Sequence, residues 1–315
     1  MKFNKFGRAM FVVVAAAAGF IASASAVSAA TISFLGLTDS NALISFDLDD
    51  LTKTRQIGVS GVDGTLLGID FRPANNLLYG VTDTNKIYTI NPVTGAATLQ
   101  STLSPLSFNG GQLSGLDFNP AADRLRLVGS NDQNFRINVD TGAIADFDAV
   151  TPGVQPDGTL IYAAGDVNAG ADPNITAAGY TNSFLGAPAG RSTQLYDIDY
   201  VLDTLVLQSP PNDGTLNTVG ALGFDFDEKG GFDIFSPSAD SNTAYATSGG
   251  LLYTIDLATG QATSQGAIGS GDTRLIGLAT TSVPEPASVL ALCGLGLVVF
   301  SRRRQTNARS SYRNA

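Results

Sequence analysis

The sequence predicts an all-β protein, a β-propeller. Three observations carry that prediction: an internal repeat, period-two alternation inside each repeat, and chain ends that complement each other. Leu67-Gly68-Ile69-Asp70-Phe71-Arg72-Pro73 returns 47 positions later as Ser114-Gly115-Leu116-Asp117-Phe118-Asn119-Pro120. Each copy leads into a second apolar run, residues 77–81 and 125–129. A third run alternates polar with apolar, residues 86–91 and 134–139. A Thr-Gly turn comes next (Thr94-Gly95 and Thr141-Gly142), then a short fourth run. Further on, residues 251–256 with Thr259-Gly260 repeat the third element. Short alternating runs split by Gly, Pro and Asp turns read as antiparallel strands. Four of them in roughly 45 residues make one propeller blade.

The ends test the ring. Phe34-Leu35-Gly36-Leu37-Thr38-Asp39-Ser40 matches a second strand, Leu78-Tyr79-Gly80-Val81-Thr82-Asp83-Thr84, so the domain starts one strand late. The missing first strand stands at the other end, as Leu275-Ile276-Gly277-Leu278-Ala279. A blade completed by both termini closes the ring and removes exposed strand edges. The expectation is therefore five blades of four antiparallel strands: 31–58 with 274–280, then 66–103, 113–148, 175–220 and 230–269. The segment 151–173 is rich in loop residues (Pro152, Pro156, Pro173). If Thr159-Leu160-Ile161-Tyr162 is a strand, it could open a sixth blade. A two-sheet sandwich is the alternative, but it leaves the complementary ends unexplained.

Both ends of the chain read as addresses. Lys2, Lys5 and Arg8 precede an apolar stretch, 9–22, and a small-residue zone, 23–30, with A-x-A-like choices such as Ala24-Ser25-Ala26. That order is the order of a secretory signal peptide, residues 1–30, which engages the export machinery. At the other end Val283-Pro284-Glu285-Pro286 precedes an apolar run of 14 residues, 287–300, and then Arg302-Arg303-Arg304. The run is shorter than the ~20 residues of a comfortable membrane span. Its lack of a polar face and its following arginines still suit a short membrane-retained helix with its positive end in the cytoplasm.

The ordered triple of Pro284-Glu285-Pro286, apolar span and Arg302-Arg303-Arg304 resembles the PEP-CTERM sorting signal of Gram-negative bacteria. The resemblance implies an exosortase-type membrane protease as partner, cutting near Pro284-Glu285-Pro286, and a protein destined for the cell surface or extracellular matrix. It also implies an exopolysaccharide-producing source. The polar tail 305–315 extends beyond the arginines, where such signals usually stop. The organisation expected is thus signal 1–30, propeller 31–282, sorting and anchor segment 283–304 and tail 305–315. The Gly-Ile-Asp-Phe-Arg-Pro and Gly-Leu-Asp-Phe-Asn-Pro blocks, with Tyr-Thr-Ile-Asn-Pro-Val-Thr-Gly after the first, resemble the domain of unknown function family numbered 4394. That resemblance implies a propeller-like domain and supplies no catalytic residues.

Composition narrows the chemistry. The chain has no histidine and one cysteine, Cys293. Ser-His-Asp and Cys-His catalysis, His-ligated metals and disulfide frameworks are therefore excluded. Residues 31–283 hold 10 bases and 27 acids, a formal charge of −17, so nucleic acid and anionic membrane surfaces are unsuited as partners. Glu228 is the lone glutamate of that span, and aspartate favours turns. Two acidic clusters, Asp47 with Asp49 and Asp225 with Asp227 and Glu228, offer oxygen ligands to Ca²⁺. Neither has EF-hand spacing, and solvated turns explain both. Asp70 and Asp117 recur at equivalent places, which points to blade structure, a hydrogen bond to a nearby turn. Arg124, Arg126 and Arg136 form the only basic concentration; they suit an anion, or simple charge balance against Asp123 and Asp132. Tyr79, Tyr88, Tyr245 and Tyr253 lie in strands, where packing between blades is the commoner role than stacking on sugars. No P-loop, Rossmann or nucleophile-elbow motif is present. The function expected is binding of a glycan or protein, such as exopolysaccharide or a surface protein, without catalysis. The alternative is a calcium-dependent hydrolase or lyase, which requires Asp side chains converging at one mouth of the central channel.

Overall fold

The computed structural model describes residues 31–283. The expected signal peptide, Pro284, Glu285, Pro286, the apolar span and Arg302, Arg303 and Arg304 lie outside the described residues.

Among the described residues twenty strands form five sheets. Blade one holds β1 (Thr31–Leu37), β2 (Ala42–Asp47) and β3 (Asp50–Gly58). Blade two holds β4 (Leu66–Arg72), β5 (Leu77–Thr82), β6 (Lys86–Ile90) and β7 (Ala97–Thr102). In blade three, β8 (Ser114–Asn119), β9 (Arg124–Gly129) and β10 (Asn134–Ile137) are followed by a single bridge, Ile137 to Ile144, where a fourth strand would run. Blade four contains β11 (Ile161–Tyr162), β12 (Ile175–Tyr180), β13 (Leu195–Asp199), β14 (Thr204–Gln208) and β15 (Thr215–Ala221). Blade five contains β16 (Gly231–Ser238), β17 (Ser241–Ser248), β18 (Leu251–Ile255) and β19 (Ala262–Ala267). Last, β20 (Gly277–Val283) returns to blade one and pairs antiparallel with β1, from Thr31 opposite Val283 to Leu37 opposite Gly277. The protein is a five-bladed propeller, closed by its two ends.

The segment 151–173 adds no sixth blade. Its strand β11 joins the outer edge of blade four, pairing parallel with β15 at Thr215 and Leu216. Tyr162 holds it there by donating to Asp199 at 2.7 Å.

The core is divided into five apolar clusters, one between each pair of neighbouring blades. The tyrosines belong to it: Tyr79 meets Phe118 edge-on at 5.3 Å across blades two and three, and Tyr245 meets Phe34 at 5.0 Å across blades five and one. Innermost strands are covered on both faces and buried almost throughout, whereas outer strands β3, β7 and β19 are mostly exposed. The recurrent Thr-Gly turn has a packing cause. Gly142 stands at φ 75°, and a Cβ there would lie 1.9 Å from the Thr102 carbonyl oxygen at the end of the preceding blade. Gly95 and Gly260 make the same approach to Gly58 and Gly220. Each turn is a seat for the neighbouring blade.

Candidate functional site

The innermost strands β4, β8, β12, β16 and β20 run the same way along the axis. Their early residues line a neck of about 10 Å³; their later residues open onto a cavity of about 240 Å³. Small residues allow the strands to converge. A Cβ on Gly115 would stand 2.6 Å from the Ala177 carbonyl carbon, so nothing larger than glycine fits between β8 and β12.

Two residues beyond that glycine comes the aspartate. Asp70, Asp117 and Asp233 occupy the same position in β4, β8 and β16, and one oxygen from each lies within 4.8 Å of the others. Gly179 and Ala279 stand at the corresponding place in the other two blades. Backbone amides hold two of the acids. The Phe118 N–H donates to Asp70 Oδ2 at 2.9 Å, and the Thr280 N–H to Asp233 Oδ2 at 2.5 Å, each reaching across from the next blade. The Phe71 and Ile234 N–H groups donate to the other oxygens, both at 2.6 Å. Asp70 thus bonds to a neighbouring inner strand and not to a turn. Asp117 Oδ1 is buried and has no hydrogen-bond partner among the described residues. Burial pushes all three acids above the usual carboxylate range, and the charges of their neighbours add to the shift at Asp70 and Asp117.

Above this floor the cavity walls are mixed: half-buried Phe71, Phe184 and Phe235, with Pro73, alternate with the polar Asn76, Ser236 and Thr281. The β12–β13 loop forms its roof. The Gly186 N–H donates to the Pro73 carbonyl at 2.9 Å, so the loop spans from blade four to blade two. Asn182 ties the loop's base to blade five, donating through its N–H to Asn242 Oδ1 at 2.8 Å. A shallower polar groove of about 580 Å³ lies between blades four and five.

The acidic clusters singled out in the sequence lie elsewhere. Asp47 and Asp49 flank the β2–β3 turn, exposed, and accept from the hydroxyls of Ser33 and Thr31. Asp225 and Glu228 are exposed in the loop before β16, where Asp227 pairs with Arg274. Two of the three arginines are neutralised within the fold, while Arg124 donates to the Asp123 carbonyl at 2.9 Å. Arg126 is 1% exposed and bonds Asp157 at 2.6 Å, and Arg136 bonds the same carboxylate at 2.6 Å. Their counter-charge is therefore Asp157 from the 151–173 segment, not Asp123 or Asp132. Asp123 instead pairs with Arg72 of blade two at 2.6 Å. Asp233 escaped the sequence reading, although Gly231-Phe232-Asp233-Ile234 repeats the Gly-Ile-Asp-Phe block in weaker form.

The PEP-CTERM protein-sorting motif matches residues 282–305 and marks an exported protein recognised by an exosortase-type membrane protease. No curated protein matches the chain. Among solved structures, an auxiliary nutrient binding protein from Bacteroides ovatus ATCC 8483 is 14% identical over 67% of this chain and 52% of that one, with a TM-score of 0.38. The computationally designed Ika8 protein is 12% identical over 74% of this chain and 62% of that one, with a TM-score of 0.34. The chain thus spans about half of the first and about three fifths of the second. The family described as Domain of unknown function (DUF4394) matches residues 42–279, most of the chain and every blade of the ring, and the protein belongs to that family.

Proposed function

We propose that this protein is an exported binding module of the cell surface or extracellular matrix, and that its ligand is a saccharide unit held in the channel mouth. The observation that carries the reading is the cavity itself, where aromatic and polar side chains stand together over a carboxylate floor. Sugars present apolar C–H faces to aromatic rings and hydroxyl donors to carboxylates, and both surfaces are on offer within about 240 Å³. That volume lies just below the ~300–1,000 Å³ of ordinary small-molecule sites, which suits one ring of a longer polymer. The propeller would occupy residues 31–282, between a signal peptide at 1–30 and a sorting segment at 283–304.

The convergent acids also favour a second reading, hydrolysis or lysis by carboxylate chemistry, since a raised carboxyl pKa is what a general acid needs. Binding without turnover is preferred because Asp70 and Asp233 each accept two backbone N–H bonds, which favour the ionised acceptor over the protonated acid that turnover needs and still leave lone pairs for a ligand. Protein purified from the native host, incubated with envelope polysaccharide, should retain the polymer intact. Phe184→Ala combined with Phe235→Ala should weaken retention about tenfold or more, as loss of aromatic anchors does. Retention unaffected by that variant would remove the mouth as the site. Release of shortened polymer would establish the catalytic reading instead.

A further inference from the structure

We propose that Asp70, Asp117 and Asp233 together bind one hard divalent cation on the propeller axis, and that Ca²⁺ is the ion their donors suit. The proposal rests on the floor of the cavity and stands whether or not a saccharide fills the space above it.

Reach comes first. Ca²⁺ takes oxygens at about 2.3–2.6 Å, so two oxygens on one ion stand no more than about 5 Å apart. The three carboxylates meet that limit, with one oxygen of each within 4.8 Å of the others. Charge is the second ground. The acids are 6%, 1% and 4% exposed, and none of the ion pairs among the described residues includes them. Three carboxylates buried without a counter-charge are costly, and a divalent ion supplies that charge from within the cluster.

The third ground is the orphan acceptor. Asp117 Oδ1 lies buried among the acids without a donor, while backbone amides from two blade interfaces fix Asp70 and Asp233 beside it. A buried acceptor without a donor calls for an occupant, a water or an ion, and beside two further carboxylates a cation also answers the charge. The donor set is oxygen alone, which selects hard cations over soft ones. Mg²⁺ usually keeps several waters and takes one or two carboxylates, whereas three protein carboxylates with room for further oxygens suit Ca²⁺. The cavity bordered by Asp70 and Asp233 offers that room. An ion there joins blades two, three and five, so it acts as an axial clasp on the ring.

The test uses full chain stripped with a chelator and titrated with Ca²⁺ by calorimetry, with bound metal counted by elemental analysis. One Ca²⁺ per chain and a higher melting temperature are expected. Asp117→Asn should weaken binding about tenfold or more, since affinity follows ligand charge. Asp47→Asn and Asp225→Asn, in the exposed clusters, should leave it unchanged. No heat and no thermal shift at millimolar Ca²⁺ would overturn the proposal, as would binding that survives Asp117→Asn. If that variant does not fold, a crystal structure of the wild-type chain grown with Ca²⁺ decides. Density on the axis between the three carboxylates supports the site, and its absence there refutes it. A chain that binds Ca²⁺ but no saccharide leaves the clasp standing and removes only the proposed ligand.

Discussion

Asp197 lies in β13 between Ala178 and Val206, wholly buried, and neither carboxylate oxygen has a hydrogen-bond partner among the described residues. Burial pushes its pKa up to about 8, and the Arg126 charge opposes the shift without cancelling it. The folded chain therefore keeps a proton that the unfolded chain, titrating near 3.8, has released. Stability contributed at this site is complete below about pH 4 and falls as pH rises toward 8, by up to about 1.4 kcal/mol per pH unit. Asp197→Asn should flatten that part of the slope, because the amide cannot ionise. Urea melts at several pH values between 4 and 8 would show it. An unchanged slope would mean that Asp197 is already ionised in the fold. The other residue-level lesson is Arg126: its burial needs Asp157, and the sequence spacing of 31 residues hides the pair.

At the scale of the element, β20 is the strand on which the ring depends. It forms the inner edge of blade one, and Leu278 packs into the cluster between blades five and one with Phe34 and Tyr245. A terminal strand that merely rested on a finished fold would tolerate truncation of its side chains. Leu278→Ala should instead cost about 2–5 kcal/mol, the range of a full core deletion. Chemical denaturation measures it, and a loss below ~0.5 kcal/mol would show that the ring holds without the closing strand. The strand was legible in the sequence because Leu275-Ile276-Gly277-Leu278-Ala279 repeats the apolar-glycine pattern of β4. By contrast, β11 was legible as a strand and not as a place. A four-residue apolar run carries no record of its partner, and pairing with β15 depends on a loop of unpatterned residues.

For the whole molecule, the family, the fold and the sorting motif together describe an exported propeller processed at the membrane. Pro284-Glu285-Pro286 is the part of the matched motif on which that handling can be tested. Replacing the three residues with alanine should leave export intact but hold the protein in the membrane fraction of the native host. Intact-mass analysis and fractionation would detect the retained form, and release at the normal rate would reduce the motif to a linker. Among the described residues no helix is long and apolar enough to cross a membrane.

What the sequence determined by itself was the repeat and hence the ring. Alternation, turn residues and complementary ends are local or periodic signals, so they survive without coordinates and lead to five blades. It also placed Asp70 and Asp117 at equivalent positions, and explained both by the repeat. Only the tertiary structure decided that they meet Asp233 on the axis, since closure brings together residues that stand 47 and 116 positions apart. The same closure buries them, because five inner strands crowd one axis and leave water little access. Equivalent positions in a linear repeat are distant, whereas in a ring they face one another. A residue repeated for blade structure thereby becomes a cluster with a chemistry of its own.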